Sequence, residues 1–301
     1  PKWDIFIDQL TEQEVKDLVM NSGYGISAVK SVGKGFNIDA DTAYGLMYGG
    51  DGVFYPNPMT LAQTWNHDLA EKYGECIGMS ATIGGAHGWY APSMDTHRTP
   101  FSGRNGEYYS EDPLIAGTCG MNEVKGAAKY GMYTYIKHFA FNDQEDHRGD
   151  RVGQFSVATY MSEQAAREIY LKPFEMCIKA GNMDMKYLKK TDKGFKEATA
   201  KVPYCTGVMT AFNRIGNTWA GGSYPLITGI LKNEWGFKGM IITDNANTGV
   251  FMLNDQMLRA GGDMKLTNFA GAGKNSWDET TQKYARNAVH NIMYTTANSK
   301  A

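Results

Sequence analysis

Residues 240–243, Met-Ile-Ile-Thr, follow Gly239 and read as a buried strand, and the strand stops at a carboxylate, Asp244. An aspartate at such a place has two ordinary uses. At the mouth of a barrel of parallel strands it acts on substrate, and at the start of a helix it caps orphan N–H groups. The local sequence, Asp244-Asn245-Ala246-Asn247, does not choose between them. Three other places after apolar or β-forming runs also carry polar groups: Asp41 (with Asp39 two residues earlier), Arg104 in a long loop, and the pair Lys137-His138. Carboxylate, guanidinium, ammonium and imidazole converging on one barrel mouth suit a ligand rich in hydroxyls, because charged partners make the strongest hydrogen bonds to neutral hydroxyls. Singly, each has a plainer use. His138 serves as a satisfied core histidine, Arg104 as a brace for Glu107 or Glu111, and Lys137 as a solvated amine.

Bringing those residues together requires strands that alternate with helices. Thr11-Glu12-Gln13-Glu14 is a capping box that opens a helix to about Met20. Apolar positions at helical spacing predict helices over 61–79, 114–130, 162–179, 225–235, 254–260 and 277–296. Strands are expected at 89–94, 132–139, 207–212, 240–243 and 262–266, and the strand at 89–94 leads into Asp95, His97 and Arg98. The polar, aromatic loop 101–113 is too long to be a simple connector, and such loops are usually functional. Units of this kind predict an α/β fold with a parallel sheet. At this length the leading architecture is a (β/α)8 TIM-barrel-like domain, with one irregular or missing strand allowed, spanning residues 1–301 as a single domain. Residues 183–205 are lysine-rich, show no clear apolar period, and are expected to be a solvated surface insertion.

Composition removes several classes of function. The chain has 301 residues, 42% hydrophobic and 21% charged, with a formal net charge of −2 and no basic patch, so no nucleic-acid partner is expected. No apolar run approaches a membrane span, and no signal peptide is visible at the start, so no membrane partner is expected and the sequence does not decide between cytoplasm and secretion. The four cysteines (Cys76, Cys119, Cys177 and Cys205) form no CxxC pair, which argues against a metal or redox site. Gly23–Ala28 matches GxGxxA loosely but follows a helix rather than a strand, so it fails as a dinucleotide loop. The run 270–273, Ala-Gly-Ala-Gly, is the only candidate phosphate-gripping loop and is too weak to prefer. No metal and no cofactor are expected.

Several long stretches then become recognisable. KHFAFNDQEDHR (137–148) resembles the lysine-histidine signature of glycoside hydrolase family 3, and HRTPFSGRNGEYYSEDP (97–113) resembles its arginine loop. Residues 208–246, VMTAFNRIGNTWAGGSYPLITGILKNEWGFKGMIITDNA, resemble the stretch that runs to its nucleophile, and LRAGGDMKL (258–266) resembles the strand that follows. The resemblance covers roughly residues 35–296, in family order. It implies a retaining exo-β-glycosidase of β-glucosidase or β-xylosidase type acting on a carbohydrate substrate, with Asp244 as nucleophile. Asp41, Arg104, Lys137 and His138 would grip the sugar, with Met209 and Phe212 beside it. Lys137 and Arg104 would hold Asp244 ionised.

The sequence also departs from that family. Asp-Gly-Pro becomes Asp41-Thr42-Ala43, a tyrosine near the nucleophile becomes Phe212, a tryptophan after it becomes Asn245, and an aromatic of the arginine loop becomes Gly106. These changes leave room for a catalytically impaired or silent carbohydrate-binding barrel. In β-glucosidase-like members the acid/base lies on an α/β sandwich domain. That domain is expected to be absent from these residues and to be supplied by a separate or removed partner domain. A local alternative for the acid/base is His147.

Overall fold

The structure, a computed structural model, describes residues 2–47, 52–146, 148, 156–246, 251–267 and 275–300. Its main strands are β1 (Gly25–Ile26), β2 (Asn37–Ala40), β3 (Gly88–Trp89), β4 (Tyr133–Phe139), β5 (Asn182–Thr191), β6 (Gly194–Pro203), β7 (Gly207–Thr210), β8 (Met240–Asn245) and β9 (Met264–Leu266). Seven of them lie side by side in the order β1-β2-β3-β4-β7-β8-β9. From β2 to β9 every pairing is parallel, whereas β1 runs antiparallel to β2. The two ends of the sheet meet: the Ser22 N–H donates to the Lys265 carbonyl at 3.2 Å, and the Thr267 hydroxyl donates to the Met20 carbonyl at 2.8 Å. The fold is therefore TIM-barrel-like, with the irregular strand at the start of the ring. The chain reverses there through Tyr24, at φ 53°, and β1 is seated so closely that a Cβ on Gly25 would lie 2.5 Å from the Asn37 carbonyl. Residues 23–28, expected to be a loop, supply this strand.

Helices connect the parallel strands, and their starts are set by side chains. The expected capping box at Thr11 and Glu14 forms and opens the helix Glu12–Met20. Asp112 accepts from the N–H groups of Leu114 and Ile115 and, with Pro113 in the first turn, starts the helix Pro113–Ala128. That helix packs on His67–Gly84 with almost no side chain between them. A Cβ on Gly74 would lie 2.1 Å from the Glu123 carbonyl, and one on Gly126 would lie 2.1 Å from that of Glu71. The helix expected over 162–179 is broken. It divides into Glu163–Ala165, a π-type turn Ala166–Tyr170, and Lys172–Ile178, because Pro173 lacks an N–H and its ring displaces the carbonyl four residues back.

The lysine-rich segment is not irregular. β5 and β6 form a long antiparallel hairpin, registered from Asn182 opposite Pro203 to Thr191 opposite Gly194, and most of its residues are exposed. Gly194 stands at φ 105°, which closes the turn around Asp192-Lys193.

Inside the ring, period-two alternation along β4 sends Tyr133, Tyr135 and Lys137 to one side. The two tyrosine hydroxyls donate to Asp39, at 2.6 and 3.0 Å, in the fully buried interior. Lys137, one step further along the strand, reaches the mouth.

Candidate active site

Lys137 separates the two aspartates of β2 and its loop. Its ammonium donates to Asp41 at 3.0 Å and pairs with Glu107 at 3.2 Å, while Asp39 stays below among the tyrosines. The turn after Asp41 is held by the Thr42 N–H, which donates to the Asp41 carboxylate at 2.7 Å, and Thr42 takes φ 92°, a conformation natural to glycine. Burial pulls the Lys137 amine down, but Asp41 and Glu107 outweigh it and its pKa lies above the ordinary value. Burial pushes Glu107 up, yet Lys137 and Arg104 overcome this and hold its carboxyl at about 2.

Arg104 uses its fork fully. It pairs with Glu107 at 2.6 Å and Glu145 at 3.3 Å, and it donates to His138 Nε2 at 3.0 Å. Bracing Glu107, the plainer use for Arg104, is therefore realised together with its place in the cluster. A guanidinium only donates, so Nε2 must be the acceptor and the ring proton must sit on Nδ1. Burial, together with Arg104, Lys137 and Arg148, pushes the His138 pKa well below the ordinary value, so the ring is neutral.

Asp244 lies at the end of β8 with 14% of its side chain exposed. Its Oδ1 accepts from the Asn245 N–H at 2.7 Å. Its Oδ2 is buried and, among the described residues, has no hydrogen-bond partner. That oxygen stands 3.8 Å from His138 Nε2 and 3.8 Å from Arg148 Nη1, and Arg148 Nη1 is also buried and without a hydrogen bond among the described residues, so the two make a long ion pair. The arrangement leaves an acceptor and a donor facing the same small space. Arg148 is fixed from behind by Glu145, at 2.8 Å, and lies 4.4 Å from the centre of the Phe212 ring. Lys137 and Arg104 both favour the ionised form of Asp244, in the direction expected of them. Burial is the larger effect and raises its pKa, and Arg148 opposes it more than either expected cation.

Asp41, Arg104, Lys137, His138 and Asp244 are thus brought together, with Phe212 behind Arg148. Met209 lies on β7 in register with Ile242 and is packed in the apolar cluster that contains Phe212. Glu107, Glu145 and Arg148 were not singled out as site residues by sequence reasoning, although Arg148 closes the lysine-histidine stretch. Of the residues after β3, His97 braces the arginine loop by donating to the carbonyls of Asn105 and Tyr108, and Arg98 bonds to the Tyr170 hydroxyl. His147 and the 270–273 run lie outside the described residues. A polar cleft of about 590 Å³, lined by Asp41, Tyr44, Tyr55, Asn57, Arg104 and Lys137 among others, opens beside the cluster. A more apolar hollow at the opposite end of the strands, near Trp3 and His87, has none of these groups. Among the described residues no group of three or more metal-ligating side chains occurs, and no helix is long and apolar enough to cross a membrane.

Comparison with known proteins bears on the family and the fold. The sequence pattern of the glycosyl hydrolase family 3 N terminal domain matches residues 35–192. Beta-glucosidase B of Emericella nidulans is 34% identical over 212 residues, which cover 70% of this chain and 21% of that protein. A beta-glucosidase of Ruminococcus albus is 32% identical over 189 residues, 63% of this chain and 17% of that protein. The chain therefore spans about a fifth of the length of these relatives. The structure of beta-glucosidase 3B from Thermotoga neapolitana in complex with glucose superimposes with a TM-score of 0.78 at 27% identity, covering 99% of this chain and 43% of that one.

Proposed function

The chain belongs to glycosyl hydrolase family 3, and from that premise we propose that it is the barrel of a retaining exo-β-glycosidase of glucosidase or xylosidase type, with Asp244 as nucleophile. The observation that carries this reading is Asp244 Oδ2, which among the described residues accepts no hydrogen bond and is aimed into the space bounded by His138 Nε2 and Arg148 Nη1. A carboxylate so placed attacks the anomeric carbon through an oxocarbenium-like transition state and forms a glycosyl-ester that water then hydrolyses. The cationic neighbours of Asp244 keep its ionised form accessible. Asp41 and Lys137 on one side, and Arg104 with neutral His138 on the other, offer acceptors and charged donors to the hydroxyls of a terminal sugar.

A silent carbohydrate-binding barrel is the second reading. It draws on the charge state of the cluster, where Glu107, held at about 2, carries no proton to give a leaving group. A fluorinated glycoside with a good leaving group separates the two readings. The active barrel accumulates a covalent adduct on Asp244, seen by mass spectrometry of its peptides, and Asp244→Asn loses the adduct while the circular dichroism spectrum is unchanged. Retained sugar binding with no adduct would select the silent barrel.

A further inference from the structure

Asp95 lies in the loop after β3, buried behind His138. Its two oxygens are used separately. Oδ2 accepts from the His138 N–H at 2.8 Å and stands 3.3 Å from His138 Nδ1, and Oδ1 accepts from the Asn142 N–H at 2.9 Å. The neighbouring pair answers in the opposite direction. Asp143 accepts from the N–H and the hydroxyl of Thr96, at 2.8 and 2.9 Å. The chain after β3 and the turn after β4 are therefore stapled by two reciprocal carboxylate-to-backbone contacts, and His138 hangs from the middle of the staple.

We propose that Asp95 is a positioning residue, which fixes the His138 tautomer and the turn beyond it so that Nε2 is presented, unprotonated, between Arg104 and Asp244. The inference deepens the glycosidase reading above and rests on it for its catalytic consequence. Arg104 donates to Nε2, so the ring proton must lie on Nδ1, and that proton needs an acceptor. Asp95 Oδ2 is the acceptor tied to the same residue's main chain. The Tyr108 hydroxyl, also 3.3 Å from Nδ1, is a second neighbour. Burial and the neighbouring Asp143 push the Asp95 carboxyl up, but either charge state leaves an oxygen able to accept from Nδ1–H. The opposite tautomer would point an N–H at a guanidinium that also only donates.

An amide cannot replace this carboxyl. Both Asp95 oxygens accept from backbone N–H groups, whereas an asparagine must turn its NH2 toward one of them and leave two donors face to face in a buried place. Losing one buried hydrogen bond and leaving its donor unsatisfied in this way corresponds to roughly a 10–100-fold effect. The test is a 15N spectrum of histidine-labelled protein at pH 7, with His138 assigned by its disappearance in His138→Gln. The expected result is a neutral ring with Nδ1 protonated and Nε2 bare. In Asp95→Asn the loosened turn should weaken the Arg104–Nε2 bond, so the Nδ1-protonated signal should give way to a mixture of tautomers, and kcat/KM for an aryl glycoside should fall roughly 10–100-fold. An Nε2-protonated or doubly protonated His138 in the unaltered protein would overturn the proposal, even if Asp95→Asn did not fold. So would an Asp95→Asn variant with tautomer and rate unchanged. Absence of any glycosidase activity would defeat the functional reading alone, since the tautomer measurement needs no substrate.

Discussion

At the mouth of the barrel three cations surround Asp244, yet its carboxyl stands above the ordinary range, because removal from water costs the charged form more than Arg148, Arg104 and Lys137 return. The same competition is sharper at Glu123, which lies in the tight seam between the helices His67–Gly84 and Pro113–Ala128. Burial pushes its carboxyl up to about 8, opposed by the Tyr109 hydroxyl. The sign of the linked stability follows directly. The unfolded chain releases this proton near the ordinary carboxylate value, while the folded protein keeps it. The contribution is therefore fully present below the unfolded pKa and is lost as pH rises toward 8. In that window Glu123 should lower stability by up to about 1.4 kcal/mol per pH unit. Urea unfolding at pH 5, 6.5 and 8 should show this slope, and Glu123→Gln should reduce it. Equal slopes in both proteins would show that Glu123 ionises freely in the fold. Nothing in the sequence marks Glu123, since a glutamate in a helix is ordinarily solvated. The two glycines that draw the helices together are what enclose it.

At the scale of elements, legibility followed the burial of faces. The strands at β4, β7 and β8 were readable because both faces are covered and they appear as apolar runs. The hairpin β5–β6 was not, because most residues on both of its faces are wet and no alternation is imposed on them. β1 was missed because two residues carry no period, and what makes them a strand is the ring that needs closing. The loop at Asp41 shows how far a substitution within a turn can be absorbed. Thr42 keeps φ 92°, where its β-branched side chain is strained, and still donates its N–H to the Asp41 carboxylate. Thr42→Gly should therefore raise stability by about 1 kcal/mol, the relief of strain exceeding the entropy that glycine adds to the unfolded chain. Asp41 should stay paired with Lys137, so kcat/KM for an aryl glycoside in the proposed reaction should change less than about threefold. A destabilised Thr42→Gly protein would mean that the threonine side chain supplies more than the turn costs it.

At the scale of the whole molecule the question is where a proton for the leaving group comes from. Within the described cluster Glu107 is held ionised, Asp41 is paired with Lys137, Asp95 is spent on backbone N–H groups, and His138 is neutral with its Nε2 bonded to Arg104. The described residues of the cluster thus support a nucleophile better than a general acid, and we propose that the acid/base lies outside this cluster, on a further domain. General acid assistance contributes ~10²–10⁴-fold, so the barrel alone should cleave disaccharides and alkyl glycosides very poorly. Aryl glycosides with good leaving groups need little assistance and should lose less in the first step. Without a base to activate water the second step should lag, so the glycosyl-enzyme should accumulate. Azide needs no base, so it should speed release and give a glycosyl azide of retained configuration, measurable by NMR of the product. His147→Ala should leave the azide-assisted rate unchanged. Efficient disaccharide hydrolysis by this chain, lost on changing His147, would instead place the acid/base on His147 and remove the need for a further domain.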